Sequence, residues 1–311
     1  MIEVIRYSKI KKEEWDDFAR HSSIDSFLFF RDYMEYHSDR FSDFSLMVYK
    51  ENKLKLILPA NTRDHILYSH QGLTFGGIVT EKNLKSIDVI SYFEAIHQFL
   101  KENRIHKMIY KVSPSIYNNG SEIDSYLMFR FNAVLTSRLL TSVIDLNKAF
   151  KPNRNRIRNL KRARDYNINI NESNDIMQFW EIMTNNLKSK FNVAPVHSPA
   201  EIQLLQSRFP ERIKLFTAKS ENKLLGGMII YFFDEVIKVQ YAHASPEGKK
   251  LGTIDALYFY LYETYCNTFK FIDFGNSNEK GGQVINSGLL SQKEAFGAYG
   301  VITDTYAYEI P

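Results

Sequence analysis

The chain contains a single cysteine, Cys266, among its 311 residues. One cysteine excludes an internal disulfide and any multi-cysteine metal site. Free cysteines are among the residues most often buried, and Cys266 falls in the pattern of a helix, so we expect an inert thiol rather than a nucleophile. No His/Cys spacing suits zinc, and we predict no metal site.

Long hydrophobic runs are also missing. The longest, residues 224–233, is about half the roughly 20 residues that a membrane helix needs. Residues 1–15 lack the apolar core of a signal peptide. We therefore predict a soluble, cytoplasmic protein without an integral membrane segment.

The chain has little excess of either charge, because 40 Lys and Arg are nearly balanced by 36 Asp and Glu and leave a net charge of +4. This is not the charge of a general nucleic-acid binder, and we expect no DNA partner. The length exceeds what a single core usually holds, which predicts two domains. We place them at residues 1–147 and 148–311, because Pro152 and Asn153 begin a helix well and continue one badly.

Two stretches of the chain resemble each other. Glu-Asn-Lys-Leu occurs at residues 51–54 and 221–224, and Tyr-x-His occurs at residues 68–70 and 241–243. In each half a hairpin pattern is followed by a helix and then a strand, which indicates a module used twice. The hairpins and intervening helices predict an α+β fold with mixed, mostly antiparallel sheets flanked by helices.

The second half begins with three predicted helices, at residues 153–166, 174–189 and 199–207. Ser198 and Glu201 form the capping-box pattern at the start of the third, with Pro199 at its first position.

A cluster of basic residues lies at the start of this half. Residues 148–164 hold eight of them and no acid. Arg154, Arg158 and Arg162 are spaced to share one helix face. Such a face is either simply solvated or contacts an anionic partner, for which phosphate is the natural candidate because arginine binds it bidentately.

Two later segments are typical of ligand contacts. Residues 241–257 lead from a strand that contains Tyr241 and His243 into a helix near Gly252 and Thr253. Free amides at that helix start would favour a phosphate or an oxyanion, and the alternative is a capped helix after a turn. A strand also ends in the loop that contains Asp273 and Asn276, a common place for substrate contacts.

Together these motifs resemble the Fem-type transferases and their acetyltransferase (GNAT) relatives. The resemblance is concentrated in residues 150–300 and is carried by Asn-Arg-x-Arg-Ile-Arg, Leu-Gly-Gly-Met, Tyr-Ala-His-Ala, Leu-Gly-Thr, Asp-Phe-Gly-Asn-Ser and Lys-x-x-Phe-Gly-Ala. It implies two tandem GNAT-like domains, here without the long coiled-coil arm of larger members. Lys293 matches a family lysine, although Gln292 replaces the Phe that usually precedes it. In the acyl-CoA loop pattern Ile254 replaces the last small residue.

The resemblance also implies a function. Characterised Fem-type members move an aminoacyl group from tRNA to an amine of a cell-wall precursor. We therefore expect transfer of an acyl or aminoacyl group to an amine of a cell-envelope or sugar/peptide precursor, by direct attack and without a covalent intermediate. No cofactor would be tightly bound. The co-substrate would be an acyl-CoA or an aminoacyl-tRNA, and the acceptor a small-molecule, glycan or peptide amine.

Two residues are predicted to act in catalysis. Lys293 would stabilise the oxyanion or a substrate phosphate, and His243 would be the general base, since histidine titrates near neutral pH. The alternatives are an acetyl-CoA-dependent N-acetyltransferase and a non-catalytic module that binds an anionic ligand.

Overall fold

This computed structural model describes residues 1–24, 26–191 and 195–311, with the side chains of Lys190 and Phe191 left aside. The chain forms two compact units. The first contains residues 1–140, 278–285 and 301–311, and the second contains residues 141–277 and 286–300. The domain limits 1–147 and 148–311 stay a prediction, since compactness alone does not show which segments fold independently.

The helices and strands up to the end of the first long crossing strand are, in chain order, β1 (Ile2–Arg6), α1 (Lys12–His21), α2 (Arg31–Met34), β2 (Ser42–Asp43), β3 (Leu46–Lys50), β4 (Lys53–Leu58), β5 (Asn61–Arg63), β6 (Ile66–Tyr68), β7 (Val79–Thr80), α3 (Ser86–Glu102), β8 (Lys107–Lys111), α4 (Ile123–Arg130) and β9 (Val134–Asp145).

The remaining elements are α5 (Arg154–Asp165), β10 (Asn169–Ser173), α6 (Ile176–Phe191), α7 (Pro199–Arg208), β11 (Ile213–Ser220), β12 (Lys223–Phe232), β13 (Val236–Ala244), α8 (Pro246–Leu251), α9 (Thr253–Tyr265), β14 (Phe271–Asn276), β15 (Asn278–Glu279), β16 (Val284–Ile285), α10 (Ser287–Glu294) and β17 (Tyr299–Glu309). No helix in the described ranges is long and apolar enough to cross a membrane.

In the first unit, one sheet has the strand order β1-β3-β4-β7, and a second set runs β17-β8-β6-β5-β2. Helix α3 packs against its core with Val89, Phe93, Ile96 and Leu100, which recur at the helical spacing and are all buried. The C-terminal strand β17 belongs to this unit from Val301 onward and pairs with β8.

In the second unit, the strand order is β10-β11-β12-β13-β14-β9. Its core lies between this sheet and α9, and it includes Leu257, Leu261 and Phe296. Most of the strand pairs with a described register are antiparallel, whereas β6 with β8 and β13 with β14 are parallel. The predicted α+β class with mixed, mostly antiparallel sheets is therefore confirmed.

The parallel pairs also clarify the repeat. Ile66 of β6 begins the first parallel pairing and Val236 of β13 begins the second, so the offset is 236 − 66 = 170. The same offset relates the two hairpin turns, residues 51–54 and 221–224. A register shift in the pairing of β12 with β13, where Ile229 pairs with Tyr241 and Ile230 with Val239, changes this offset before His243, so the correspondence of His70 and His243 stays a prediction.

The predicted capping box at Ser198 is present. Ser198 Oγ accepts a hydrogen bond from the Glu201 amide, and the Glu201 carboxylate accepts one from the Ser198 amide at 2.7 Å. We expect Ser198→Ala to lower the free energy of unfolding by about 1 kcal/mol, because an N-cap acceptor is lost. Urea unfolding of this variant beside Ser207→Ala checks the value. Ser207 is an exposed hydroxyl on the same helix, and an equal loss in both variants would contradict a specific cap.

Candidate active site

The parallel strands β13 and β14 separate partway along their length. Residues 236–238 pair with residues 271–273, and the pairing ends at Lys238 and Asp273. Strand β14 continues beside β9 as far as Asn276, whereas β13 continues to Ala244. Within the described chain, the β14-facing backbone groups of residues 239–244 thus lack a strand partner. We call the point of separation, at Lys238 and Asp273, the fork.

Asp273 organises the fork. Its carboxylate accepts hydrogen bonds from Thr141 Oγ1 at 2.6 Å, from the Gly275 amide at 2.7 Å and from Lys238 Nζ at 3.1 Å. Both Asp273 and Lys238 are buried. Because its oxygens are already bound by the protein, Asp273 positions its neighbours. Its contact with a substrate stays a prediction.

Lys293 projects from the last turn of α10 to the end of β14. Its side chain is 5% exposed, and Nζ donates hydrogen bonds to the carbonyl oxygens of Gly275 at 2.7 Å and Asn276 at 2.8 Å. An ammonium group has three hydrogens to donate, and the described residues accept two of them. Burial lowers the pKa of Lys293 to about 8, although the Asp273 carboxylate opposes the shift.

The fork carries an excess of positive charge. Two buried ammonium groups, Lys238 and Lys293, face one carboxylate, Asp273. A charge in a buried site interacts more strongly than one in water. A hydrogen-bond donor held rigidly in such a site can stabilise negative charge that develops on a substrate oxygen.

Helix α5 covers the start of α9, where the sequence predicts an anion site. Gly252 has φ +83°, and a Cβ there would lie 2.3 Å from the carbonyl oxygen of Asn159. Thr253 is fully buried. In the first turn of α9, Asp255 accepts hydrogen bonds from Arg156 at 2.9 Å and Asn159 at 3.2 Å. Helix α5 thus covers the side chains at this helix start, and the anion-binding role of Gly252 and Thr253 stays a prediction.

The basic helix is also less isolated than its sequence indicates. Arg156 and Arg164 form ion pairs with acids of α9, Asp255 and Glu263. The sequence pattern missed these pairs because the acids lie about 100 residues away in the chain.

The three arginines predicted to bind an anion lie on α5 and are all exposed. Arg162 donates to the carbonyl oxygen of Lys250 at 2.8 Å, and Arg158 donates to Asn155 Oδ1 at 3.0 Å. With Arg154 they stay a predicted contact surface for an anionic partner.

Of the other predicted site residues, Asn276 contacts Lys293 through its carbonyl oxygen, whereas Tyr241 and His243 have other partners. Tyr241 is hydrogen-bonded through its hydroxyl to His197 Nδ1 at 2.7 Å. His243 is half-buried on β13, and burial together with the Lys249 ammonium lowers its pKa to about 4. The side chain of Asn276 is exposed at the end of β14, where it can contact a substrate.

A cleft of about 310 Å³ lies within the first unit, where the predictions from the sequence place no site. Arg31 lines it and is 2% exposed, with Nη2 2.6 Å from Asp43 Oδ2 and Nε 3.0 Å from Glu35 Oε1. The ring of Tyr7 lies 3.7 Å from its Cζ atom. The sequence contains a signal for this cleft, because Arg31 directly follows four apolar residues, 27–30. A charged residue that is buried with such a run has to be paired.

No protein-family profile and no curated protein sequence matches the chain. Solved structures do. FemX is 10% identical, with a TM-score of 0.70 over 99% of this chain and 97% of that one. L-PGS from Bacillus licheniformis is 12% identical, with a TM-score of 0.58 over 97% of this chain and 91% of that one. A tandem GNAT protein from the clavulanic acid biosynthesis pathway is 9% identical, with a TM-score of 0.53 over 100% and 99% of the two chains.

At these identities the likeness establishes the fold, and the predicted tandem GNAT-like fold is confirmed. The activity has to be inferred from the geometry of the site.

Proposed function

We propose that this chain, with its tandem GNAT-like fold of the Fem type, is an acyltransferase that moves an acyl or aminoacyl group to an amine. The observation that carries the proposal is the buried fork, in which Lys293 is held by two carbonyl oxygens and has a third hydrogen to donate. The amine that accepts the group belongs to a small molecule, glycan or peptide, such as a precursor of the cell envelope.

In this reaction the amine attacks the carbonyl carbon of the donor directly. The carbonyl oxygen gains negative charge as the new C–N bond forms, and the Lys293 ammonium stabilises that oxygen by charge and hydrogen bond. The leaving group then departs with the electron pair of its bond, and the amine loses a proton. The protein needs no covalent nucleophile for these steps, because orientation and charge stabilisation supply most of the catalysis.

His243 is a weak candidate for the base that accepts the proton. Because its pKa is lowered to about 4, its imidazole is neutral at neutral pH but holds a proton poorly. Solvent is the better acceptor for a proton lost from an ammonium-like intermediate.

The covered start of α9 bears on the donor. In an acyl-CoA-dependent enzyme of this fold, free amides at that helix start would hold the pyrophosphate. Here the backbone of Asn159 contacts Gly252, and Asp255 already places a negative charge in the first turn. We therefore favour an aminoacyl ester of RNA as the donor, and the exposed Arg154, Arg158 and Arg162 as its phosphate contacts.

We expect acetyl-CoA to bind more weakly than about 1 mM, because binding would require α5 to leave the start of α9. Calorimetric titration of the full chain measures this. Mass spectrometry should in turn detect transfer of an amino acid from charged tRNA to an amine acceptor. Submicromolar binding of acetyl-CoA would overturn the donor assignment.

The main alternative is a tandem module that binds an anionic ligand and catalyses nothing. The exposed arginine face of α5 is the observation that favours it. If charged tRNA binds but neither it nor any acyl-CoA is ever consumed, the alternative holds and the transferase proposal fails.

A further inference from the structure

A cavity of about 400 Å³ lies within the first unit, between the segment that precedes α3 and the segment that leads into α4. Most of its polar lining consists of neutral hydroxyl and amide side chains, among them Thr80, Asn83, Ser86 and Asn119. Apolar patches from Ile24 and Leu84 complete the lining. The volume is sufficient for a small organic ligand.

One wall of this cavity contains a buried carboxyl group. Asp124 is 2% exposed and accepts a hydrogen bond from the buried Tyr110 hydroxyl through Oδ1. No cation of the described chain pairs with it. Burial raises the pKa of Asp124 to about 6, so the group is ionised at neutral pH. A buried carboxylate without a cation is unfavourable, and an ammonium group placed beside it would offset that cost.

A second acceptor lies on the same lining. Asn118 is 5% exposed, and its Nδ2 donates to the carbonyl oxygens of Ser113 at 3.4 Å and Ser121 at 2.9 Å. Those two bonds fix the orientation of the amide, and Oδ1 accepts no hydrogen bond from a described residue. A residue of the cavity lining thus carries a buried acceptor whose hydrogen-bonding capacity no described residue uses.

The charged groups around Asp124 leave this wall negative. Glu122, directly before α4, lies near enough to raise the pKa of Asp124 further, and Tyr110 of β8 contributes a neutral hydroxyl. On the segment before α3, the Glu81 carboxylate is paired with Lys55 at 2.8 Å, and Lys82 also lines the cavity.

We propose that this cavity binds a small polyhydroxylated primary amine of the amino-sugar class, with its ammonium group on Asp124. The ligand hydroxyls would then bind the hydroxyl and amide side chains of the lining. This site goes beyond the transferase function, because none of Lys238, Asp273 and Lys293 lines it.

Three probes separate the contributions of charge and hydroxyl groups. Calorimetric titration of the full chain at pH 7 should show glucosamine binding at least tenfold more tightly than glucose, which lacks the amine, and than ethanolamine, which lacks the polyol. Equal binding of glucose and glucosamine would overturn the role of Asp124. Equal binding of ethanolamine would overturn the amino-sugar class, and no binding of glucosamine would overturn the site.

A pair of variants localises the binding. Asp124→Asn keeps the shape of the side chain and removes its charge. It should weaken the binding of glucosamine at least tenfold. Glu94→Gln changes a carboxylate of α3 that is paired with Arg130 and does not line the cavity, and it should change affinity less than threefold. If the control variant weakens glucosamine binding more than Asp124→Asn does, the proposal is contradicted.

A measurement on the unmodified chain covers the case in which Asp124→Asn fails to fold. Glucosamine should lower the pKa of Asp124 in an NMR titration, because an ammonium group favours the ionised carboxylate. Affinity should accordingly rise between pH 5 and pH 7. A pKa that does not move with saturating glucosamine would overturn the proposal.

Discussion

Lys293→Met is expected to reduce the turnover rate of acyl transfer by about 10³-fold, because a preorganised donor to an oxyanion contributes on that scale. The Lys293 ammonium is buried and fixed by the carbonyl oxygens of Gly275 and Asn276, so it needs little reorganisation when charge develops on the substrate. Methionine fills a similar volume without the charge. The loss should appear in kcat more than in KM, since the contact strengthens in the transition state.

The pH dependence of the reaction gives an independent check on Lys293. Its pKa is lowered to about 8, so the ammonium form is lost as the pH rises through that value. Activity that depends on the ammonium should therefore fall above about pH 8. If the rate instead keeps rising to pH 10, the amine of the substrate limits the reaction and Lys293 has no charge-stabilising role.

The lowered pKa of Lys293 has the opposite effect on stability, which it should raise with pH where it lowers activity. Between about pH 8 and the ordinary lysine pKa of 10.5, the unfolded chain binds more protons at Lys293 than the folded chain does. The free energy of unfolding of the unmodified chain should therefore rise across this window relative to Lys293→Met. A stability difference that stays constant with pH would contradict the lowered pKa.

Lys270→Met is the matched control for both measurements. Lys270 is half-exposed and paired with Glu235 at 2.5 Å on the surface of the same unit. An exposed pair of this kind contributes little to stability. Its loss should leave turnover within about twofold. A 10³-fold loss in both variants would show that the effect is not specific to Lys293.

The fold was predictable from local patterns. The helix predicted at 199–207 is observed at Pro199–Arg208 because Ser198, Pro199 and Glu201 supply every part of an N-terminal cap. The helix predicted at 153–166 is Arg154–Asp165, with Asn153 as its cap. Such signals act over four residues, so a single sequence contains them completely.

One local signal was overlooked. From the sequence we predict a helix only from about Gly252 onward, yet Pro246–Leu251 is already helix α8, capped by Ser245 with Pro246 at its first position. This is the same Ser-Pro pattern that identified the helix at Ser198. The glycine and lysines of the segment masked it, because Gly248 is a poor helix former.

The candidate site was less predictable, because its partners are distant in sequence. Asp273 is joined to Thr141, which lies 132 residues away, and Arg156 to Asp255, which lies 99 residues away. No periodicity relates such pairs, and the formal net charge of a segment does not reveal what neutralises it. The basic residues that the sequence presents as an unpaired cluster therefore lie on a helix, α5, of which two arginines form ion pairs with α9.

Gly252→Ala should cost about 3–5 kcal/mol in the free energy of unfolding, the second large effect that we expect. The left-handed φ of +83° is alone worth about 1–2 kcal/mol against alanine. The new Cβ would also lie 2.3 Å from the Asn159 carbonyl oxygen, and that backbone atom cannot rotate away as a side chain can. Helix α5 would have to shift, and the Arg156–Asp255 pair would shift with it.

Gly120→Ala isolates the steric part of this cost. Gly120 has a similar φ of +78°, but a Cβ there would meet nothing within 4 Å. Urea unfolding should show a loss of only about 1–2 kcal/mol for this variant. The difference between the two losses measures how tightly α5 is held on the start of α9. If the losses are equal, α5 leaves that helix start readily, and the argument against a CoA donor loses its physical basis.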